Sequence, residues 1–357
     1  MLLIQYERLF SIVLVGLLAT AITNAFARPL ATQSECHVGN SESAASRQWW
    51  HRSLHIRHDQ EQIRGAGITI ALIDSGVDLS HPLLRDRLDG RGANFGDCNM
   101  DLADCSRPDA PAPQDQLGHG TQVAGVLVGP VVGVAASRAK LLPIKINPGT
   151  EDDFSARTVS AAIRYAVLAG AHLIHLSFAM PNATQAERSE VDSALSFAEQ
   201  SRVVVVVAGG NHGPLAVYPA THPSVIAVGG IGCSGEPLRG TAISSEIVVA
   251  APAEQVQTTL LGGGTGPSMR GTSIAAPFVT ATLANLLALN PDLTAAQMRA
   301  ALMTSATPLR WGGKSNSKLH FKQLGFGLLN VQATKGRLNK VGKPRAFPSI
   351  DDGRQGR

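Results

Sequence analysis

The chain has 357 residues, 44% of them hydrophobic and 16% charged, with a formal net charge of +4. That length allows one large core or at most two modest ones, and so mild a charge gives no footing for nucleic-acid binding. Aromatic residues make up only 4% while glycine and alanine are abundant, which suits tightly packed α/β layers better than an aromatic-rich β-sandwich.

Residues 1–27 read as a secretory signal. Arg8 is followed by an apolar run from Leu9 to Ile22, and the small residues Ala25 and Ala27 set up cleavage after Ala27. The run is short of the ~20 residues of a membrane span. No later stretch is long enough to cross a bilayer, so the mature protein is expected to be exported, secreted or periplasmic, with no membrane attachment. Residues 28–62 are largely polar, with Trp49 and Trp50 the main apolar exceptions, and read as an arm lying across the main domain. Four cysteines, Cys36, Cys98, Cys105 and Cys233, are an even set for an exported chain and suggest disulfides. Three pairings are open. Cys98 and Cys105 flank a short polar loop, so a local clip is the simplest, leaving Cys36 for Cys233; free thiols are the alternative. Their spacing fits no zinc pattern.

From residue 68 the pattern alternates. Apolar, β-branched runs at 68–74, 139–146, 172–178, 202–208 and 224–230 predict strands buried on both faces. Between them, 155–170 and 183–200 carry apolar residues at helical spacing, the first ending at Gly170. Residues 273–290 are almost wholly apolar and predict a buried helix, in which Pro277 is tolerable only in the first turn. The fold expected over 63–333 is therefore α/β in three layers, a mostly parallel sheet with helices on both faces, and ligands should bind beyond the C-terminal ends of its strands. The tail 334–357 is polar and basic and reads as flexible.

Four polar residues punctuate this pattern. Asp74 ends the first strand in "ALIDSGVDLSHP"; alone it could be a turn aspartate. His119 lies between Gly118 and Gly120 at the start of the small, apolar helix of "GHGTQVAGVLVG"; alone it could be a packed cap. Asn211 follows "VVVVVAGG", where a left-handed turn asparagine would also serve. Ser273 opens the apolar helix of "RGTSIAAPFV", with unpaired backbone N–H groups and the helix dipole behind it; an N-cap would look the same. "GTSIA" is not the strand–turn–helix elbow of α/β-hydrolases.

Together these blocks resemble those of the subtilisin-like serine proteases, in which aspartate, histidine and serine occur in this chain order. The segments "GVAASRAKLLPIKI", "YPATHPSVIAVGG", "PDLTAAQMRAALMTSA" and "GFGLLN" extend the resemblance over about 48–333. It implies a serine endopeptidase acting on an extended peptide or protein. Ser273 would attack the carbonyl, His119 would move the proton, and Asp74 would hold the imidazole. The Asn211 side chain and the Ser273 backbone N–H would donate to the oxyanion. Substrate would pair with Ser177, Phe178 and Ala179, and the pocket for the residue before the cut would be formed by Ala208, Gly209, Gly210 and Val217.

Several departures from the family pattern shape the expectations. Gln122 stands where a second histidine is usual, without catalytic consequence. Phe178 and Ala179 replace leucine and glycine of the substrate strand, and Val217 replaces a pocket-floor glycine, so a shallow pocket preferring a small aliphatic residue is expected. Leu83 follows "SHP" where a calcium-binding carboxylate is common, and the His119 helix lacks the usual ligand-bearing insertion. That calcium site is expected to be absent, other calcium sites remain open, and no cofactor is expected. About 35 residues between Ala27 and the first strand are too few for the family's folded pro-domain. The arm with Cys36 has a weaker similarity to the tethered arm of mycosins. A monomer is expected. A maturation protease of narrow specificity, a catalytically silent peptide-binding module on the same fold and a small-ester hydrolase are the alternatives.

Overall fold

The computed structural model describes residues 49–56, 64–97, 105–107, 109–130, 136–149, 154–309 and 324–338. The signal segment, Cys36, Cys98 and the tail beyond Leu338 lie outside these residues. Seven parallel strands form the central sheet: β1 (Thr69–Asp74), β2 (Ala93–Asn94), β3 (Lys140–Lys145), β4 (Leu173–Leu176), β5 (Val204–Ala208), β6 (Ile226–Ile231) and β7 (Ile247–Pro252), in the order β2-β3-β1-β4-β5-β6-β7. Each of the five expected strands is present; β1, β3, β4 and β5 are one to three residues shorter than expected, and β6 starts two residues later and ends one later. β2 and β7 are additional. β2 has only two residues, too few to show a pattern. β7 is the apolar run "IVVAAP", as buried as its neighbours.

Because successive side chains on a strand alternate faces, the sheet has two distinct apolar layers. Ala71, Ile73, Ile174, Leu176, Val205 and Val207 face helices α3 (Ala156–Leu168) and α4 (Gln185–Gln200). Ile70, Leu72, Leu173, Val204 and Val206 face α2 (His119–Val128) and α5 (Thr272–Leu289). A short α1 (Trp50–Ser53) joins the second layer, with Trp50 fully buried edge-on against Phe278 of α5, ring centroids 4.9 Å apart. Runs of Val, Ile and Ala suit this arrangement, since each strand must be apolar on both sides.

A two-stranded antiparallel hairpin, β8 (Gln257–Thr259) and β9 (Thr265–Pro267), stands apart from the sheet and packs on α2. Thr258 and Thr259 hydroxyls donate to the Gln122 and Thr121 carbonyls at 2.7 and 2.6 Å. Helices α6 (Ala295–Ser305) and α7 (Val331–Leu338) close the domain. Helix α7 crosses the boundary expected at 333/334, and Thr334 is fully buried with its hydroxyl 2.6 Å from that of Ser305.

Helix α5 is buried nearly throughout, as its composition requires. Pro277, however, is its sixth residue, not a first-turn one. A proline there has no N–H for the carbonyl four residues back, which is that of Ser273. The Ser177 hydroxyl, 3.3 Å from that carbonyl, serves it instead.

β1 has β3 on one side and β4 on the other. The chain leaves β1 toward β2 and β3, and leaves β4 toward β5. The C-terminal ends of β1 and β4 therefore flank the topological switch point, where an open parallel sheet offers a crevice.

Candidate active site

Asp74 is the last residue of β1 and shares a face with Ile70 and Leu72, so its carboxylate emerges at the crevice on the α2/α5 side. It is 5% exposed. Its Oδ1 lies 2.7 Å from His119 Nδ1 and accepts from the Ser75 N–H, also at 2.7 Å. The imidazole is the first side chain of α2. The helix can start this close to β1 only because residue 120 is glycine: a Cβ there would lie 2.0 Å from the Gly76 carbonyl oxygen and 3.1 Å from Asp74 Oδ1.

A second carboxylate holds this start in place. Asp115, buried, accepts from the Leu117 and Gly118 N–H groups and the Ser75 hydroxyl at 2.9 Å through Oδ1. Its Oδ2 accepts from the Thr121 N–H at 2.9 Å and hydroxyl at 2.6 Å. The Ser75 oxygen in turn accepts from the Gly120 N–H at 2.9 Å. Asp115 thus ties the residue after Asp74 to the residues around His119, and five donors compensate its burial.

Asn211 follows β5. Its Oδ1 accepts from the Thr272 N–H at 2.8 Å, with the Thr272 hydroxyl at 3.1 Å, which fixes the side-chain orientation and leaves Nδ2 as the donor end. Gly271, at φ 153°, precedes α5. A Cβ on it would come 2.8 Å from Asn211 Nδ2, so only glycine lets the amide and the helix start sit side by side. Ser273 is the second residue of α5 and 8% exposed. Its hydroxyl donates to the Ser177 carbonyl at 3.0 Å.

Asp74, His119, Asn211 and Ser273 all line one cleft of about 670 Å³. Of the residues expected to bind substrate, Ser177, Phe178, Ala179, Ala208, Gly210 and Val217 line it too. Gly209 does not. Its N–H donates to the Val228 carbonyl, and a Cβ on it would meet the Ile247 side chain at 2.6 Å, so it faces the core and only supports the pocket. Val217 lies against Gly210, where a Cβ would be 3.1 Å from its Cγ2.

Other contributors, Gln122 apart, were not singled out in the sequence. Phe154 and Glu187 extend the cleft beyond Phe178, and the Phe154 and Phe178 rings meet edge-on at 4.9 Å. Arg270 lines the cleft and pairs with Glu254 at 3.1 Å. Gln122 accepts from the Met269 N–H at 2.7 Å, anchoring the segment that leads to Ser273. Asp115, four residues before His119, and Thr272, inside the serine block, had only their neighbourhood as a signal. His175 had a clearer one, being the only polar residue of β4.

This arrangement has counterparts among known proteins. A model of the subtilase family matches residues 65–328. The chain belongs to the subtilase family. Over 280 residues, 75% of this chain, it is 35% identical to subtilisin NAT of Bacillus subtilis subsp. natto, covering 66% of that protein's length. It is 34% identical over the same extent to the subtilisin of Bacillus pumilus, covering 91% of it. Among solved structures, sphericase is similar with a TM-score of 0.66 and 26% identity, over 80% of this chain and 98% of that one. The prenylagaramide maturation protease PagA shares the fold at a TM-score of 0.61 and 24% identity, over 78% and 94% of the two chains. These two solved structures share the α/β fold described above.

Proposed function

We propose that this subtilase is an exported serine endopeptidase that cleaves peptide bonds through an acyl-enzyme. The observation that carries the reading is the 2.7 Å Asp74–His119 pair on the wall of a cleft that also holds Ser273 and Asn211. With Nδ1 engaged by Asp74, Nε2 is the ring nitrogen that takes the Ser273 proton and returns it to the leaving amine. In the resting state described here the Ser273 hydroxyl points to the Ser177 carbonyl, and rotation about its Cα–Cβ bond brings it to the imidazole when substrate binds. The oxyanion is met by Asn211 Nδ2 and the Ser273 N–H, at the positive end of α5.

The residue before the cut is a small aliphatic one, because Val217 packed on Gly210 closes the pocket that Ala208 begins. The substrate pairs along Ser177–Ala179. A maturation role on one partner protein is the second reading. It is favoured by Phe178, whose contact with Phe154 narrows the cleft.

The pairing we propose is Cys98 with Cys105, which leaves Cys36 for Cys233; Cys36 and Cys98 lie outside the described residues. Neither Cys105 nor Cys233 is a free thiol. Trp49 of the arm and Cys233 converge on one residue: Trp49 Nε1 donates to the Glu254 carbonyl and the Cys233 N–H donates to its carboxylate, both at 3.1 Å. The common calcium site is lost at Leu83, which brings no oxygen ligand and whose N–H donates to His81 Nδ1 at 3.2 Å.

Mass spectrometry of peptides released from a proteome by the wild type and by Ser273→Ala tests activity and preference together. New termini after Ala or Val, absent with the variant, are expected. No wild-type cleavage would overturn the reading, and cuts mainly after Phe or Arg would overturn the pocket assignment.

A further inference from the structure

We propose that His175 is a positioning residue of the catalytic site, holding Ser177 so that its hydroxyl serves the backbone carbonyl of Ser273 and locks the nucleophile to the segment 177–179 that follows β4. The proposal rests on the reading of Ser273 as the nucleophile. His175 is fully buried in β4, opposite Leu72 of β1 and Val206 of β5, on the face covered by α5. Every other residue of β4 is apolar. Both ring nitrogens are engaged, Nδ1 at 2.8 Å from Thr280 Oγ1 of α5 and Nε2 at 2.6 Å from Ser177 Oγ.

The tautomer follows from Pro277. That residue gives the Ser273 carbonyl no N–H, and the Ser177 hydroxyl, 3.3 Å away, is the donor that replaces it. A hydroxyl has one proton to donate. If it goes to Ser273, the Ser177 oxygen accepts from Nε2–H, and Nδ1 accepts from the Thr280 hydroxyl, whose other acceptor, the Ala276 carbonyl at 3.3 Å, is the one that the helix already gives to the Thr280 N–H. The opposite tautomer would turn Ser177 toward the ring and leave the nucleophile's carbonyl without that donor. The Ser273 hydroxyl closes the loop by donating to the Ser177 carbonyl at 3.0 Å. Burial, opposed by the Asp74 charge, holds the His175 imidazole neutral, its pKa pushed down to about 3. The clasp therefore persists at any pH at which His119 can act as a base.

The test compares His175→Leu, which fills space without hydrogen bonds, with His175→Gln, which keeps a donor and an acceptor. Active sites are first titrated with a fluorophosphonate, so that kcat refers to competent enzyme. It is then measured on a peptide long enough to pair with 177–179 and on a small acyl ester that is not. The leucine variant is expected to lose roughly tenfold in kcat on both substrates, the size of a lost buried hydrogen bond, and to raise KM for the peptide alone. Glutamine should recover most of both. Unchanged kcat per titrated site in the leucine variant, whatever the fraction titrated, would overturn the proposal. So would a glutamine variant as impaired as leucine. If the wild type cleaves neither substrate, the protease reading is what falls, and amide hydrogen exchange decides on His175. Faster exchange at 177–179 and 272–275 in the leucine variant, with α6 unchanged, supports the clasp; uniform acceleration or none removes it.

Discussion

Val217 and Asn211 are the two side chains whose replacement should speak most directly about substrate. Val217→Gly removes the group packed on Gly210, and the pocket should then admit larger residues. Relative kcat/KM for Phe over Ala before the cut is expected to rise roughly 10- to 100-fold, the range for a few added methylenes in a fitted pocket. An unchanged ratio on a fluorogenic panel would place the pocket elsewhere. Asn211→Ala should lower kcat about 100- to 1000-fold with KM little altered, as found for a subtilisin's own oxyanion-hole asparagine. His175 gives a pH prediction. The unfolded chain takes up its proton near the ordinary 6.5 and the folded one only near 3. Its stabilising effect is therefore complete above pH 6.5 and is lost progressively as pH falls from there toward 3. In urea unfolding, wild type should lose more stability between pH 7 and 4.5 than His175→Gln does; equal losses would mean the ring protonates in the folded state.

Helix α6 shows what local sequence can specify. "TAAQ" forms a reciprocal capping box: the Thr294 hydroxyl accepts from the Gln297 N–H at 3.2 Å, and Gln297 Oε1 accepts from the Thr294 N–H at 2.9 Å. Thr294→Ala should cost about 1 kcal/mol in a urea titration, and Thr294→Ser almost nothing. The strands β1, β3, β4, β5 and β6 were equally legible, because burial on both faces leaves a continuous apolar run. The hairpin β8–β9 was not, since its stability comes from contact with α2, not from alternation. Pro277 was misplaced for the same kind of reason. Its tolerance in the second turn of α5 depends on Ser177, which lies 96 positions before the Ser273 carbonyl it serves. The four blocks of the site were legible as motifs because each couples a polar residue to a strand end or helix start. Asp115 reaches Ser75 across 40 positions and Thr272 reaches Asn211 across 61, which leaves no spacing to read, whereas His175 stands out in sequence only as the polar residue of an apolar strand.

The whole molecule rests on a β1/β4 crevice that gathers residues from distant parts of one chain. The sheet fixes Asp74 and Ser177, α2 brings His119, and α5 brings Ser273, with Asn211 held between β5 and α5 by Thr272. The same convergence makes the arm relevant, since Glu254, reached by Trp49 and by Cys233, also pairs with Arg270 three residues before Ser273. Peptide mapping without reduction should find Cys36 joined to Cys233 and Cys98 to Cys105, and a Cys36–Cys98 peptide would contradict the tether. The central claim is that Ser273, His119 and Asp74 form one reactive unit. Intact-mass measurement after exposure of folded protein to a fluorophosphonate addresses it most directly. A single adduct on Ser273 is expected, absent in Ser273→Ala and slowed by orders of magnitude in His119→Ala. An unlabelled wild type, or labelling that is indifferent to His119, would contradict it.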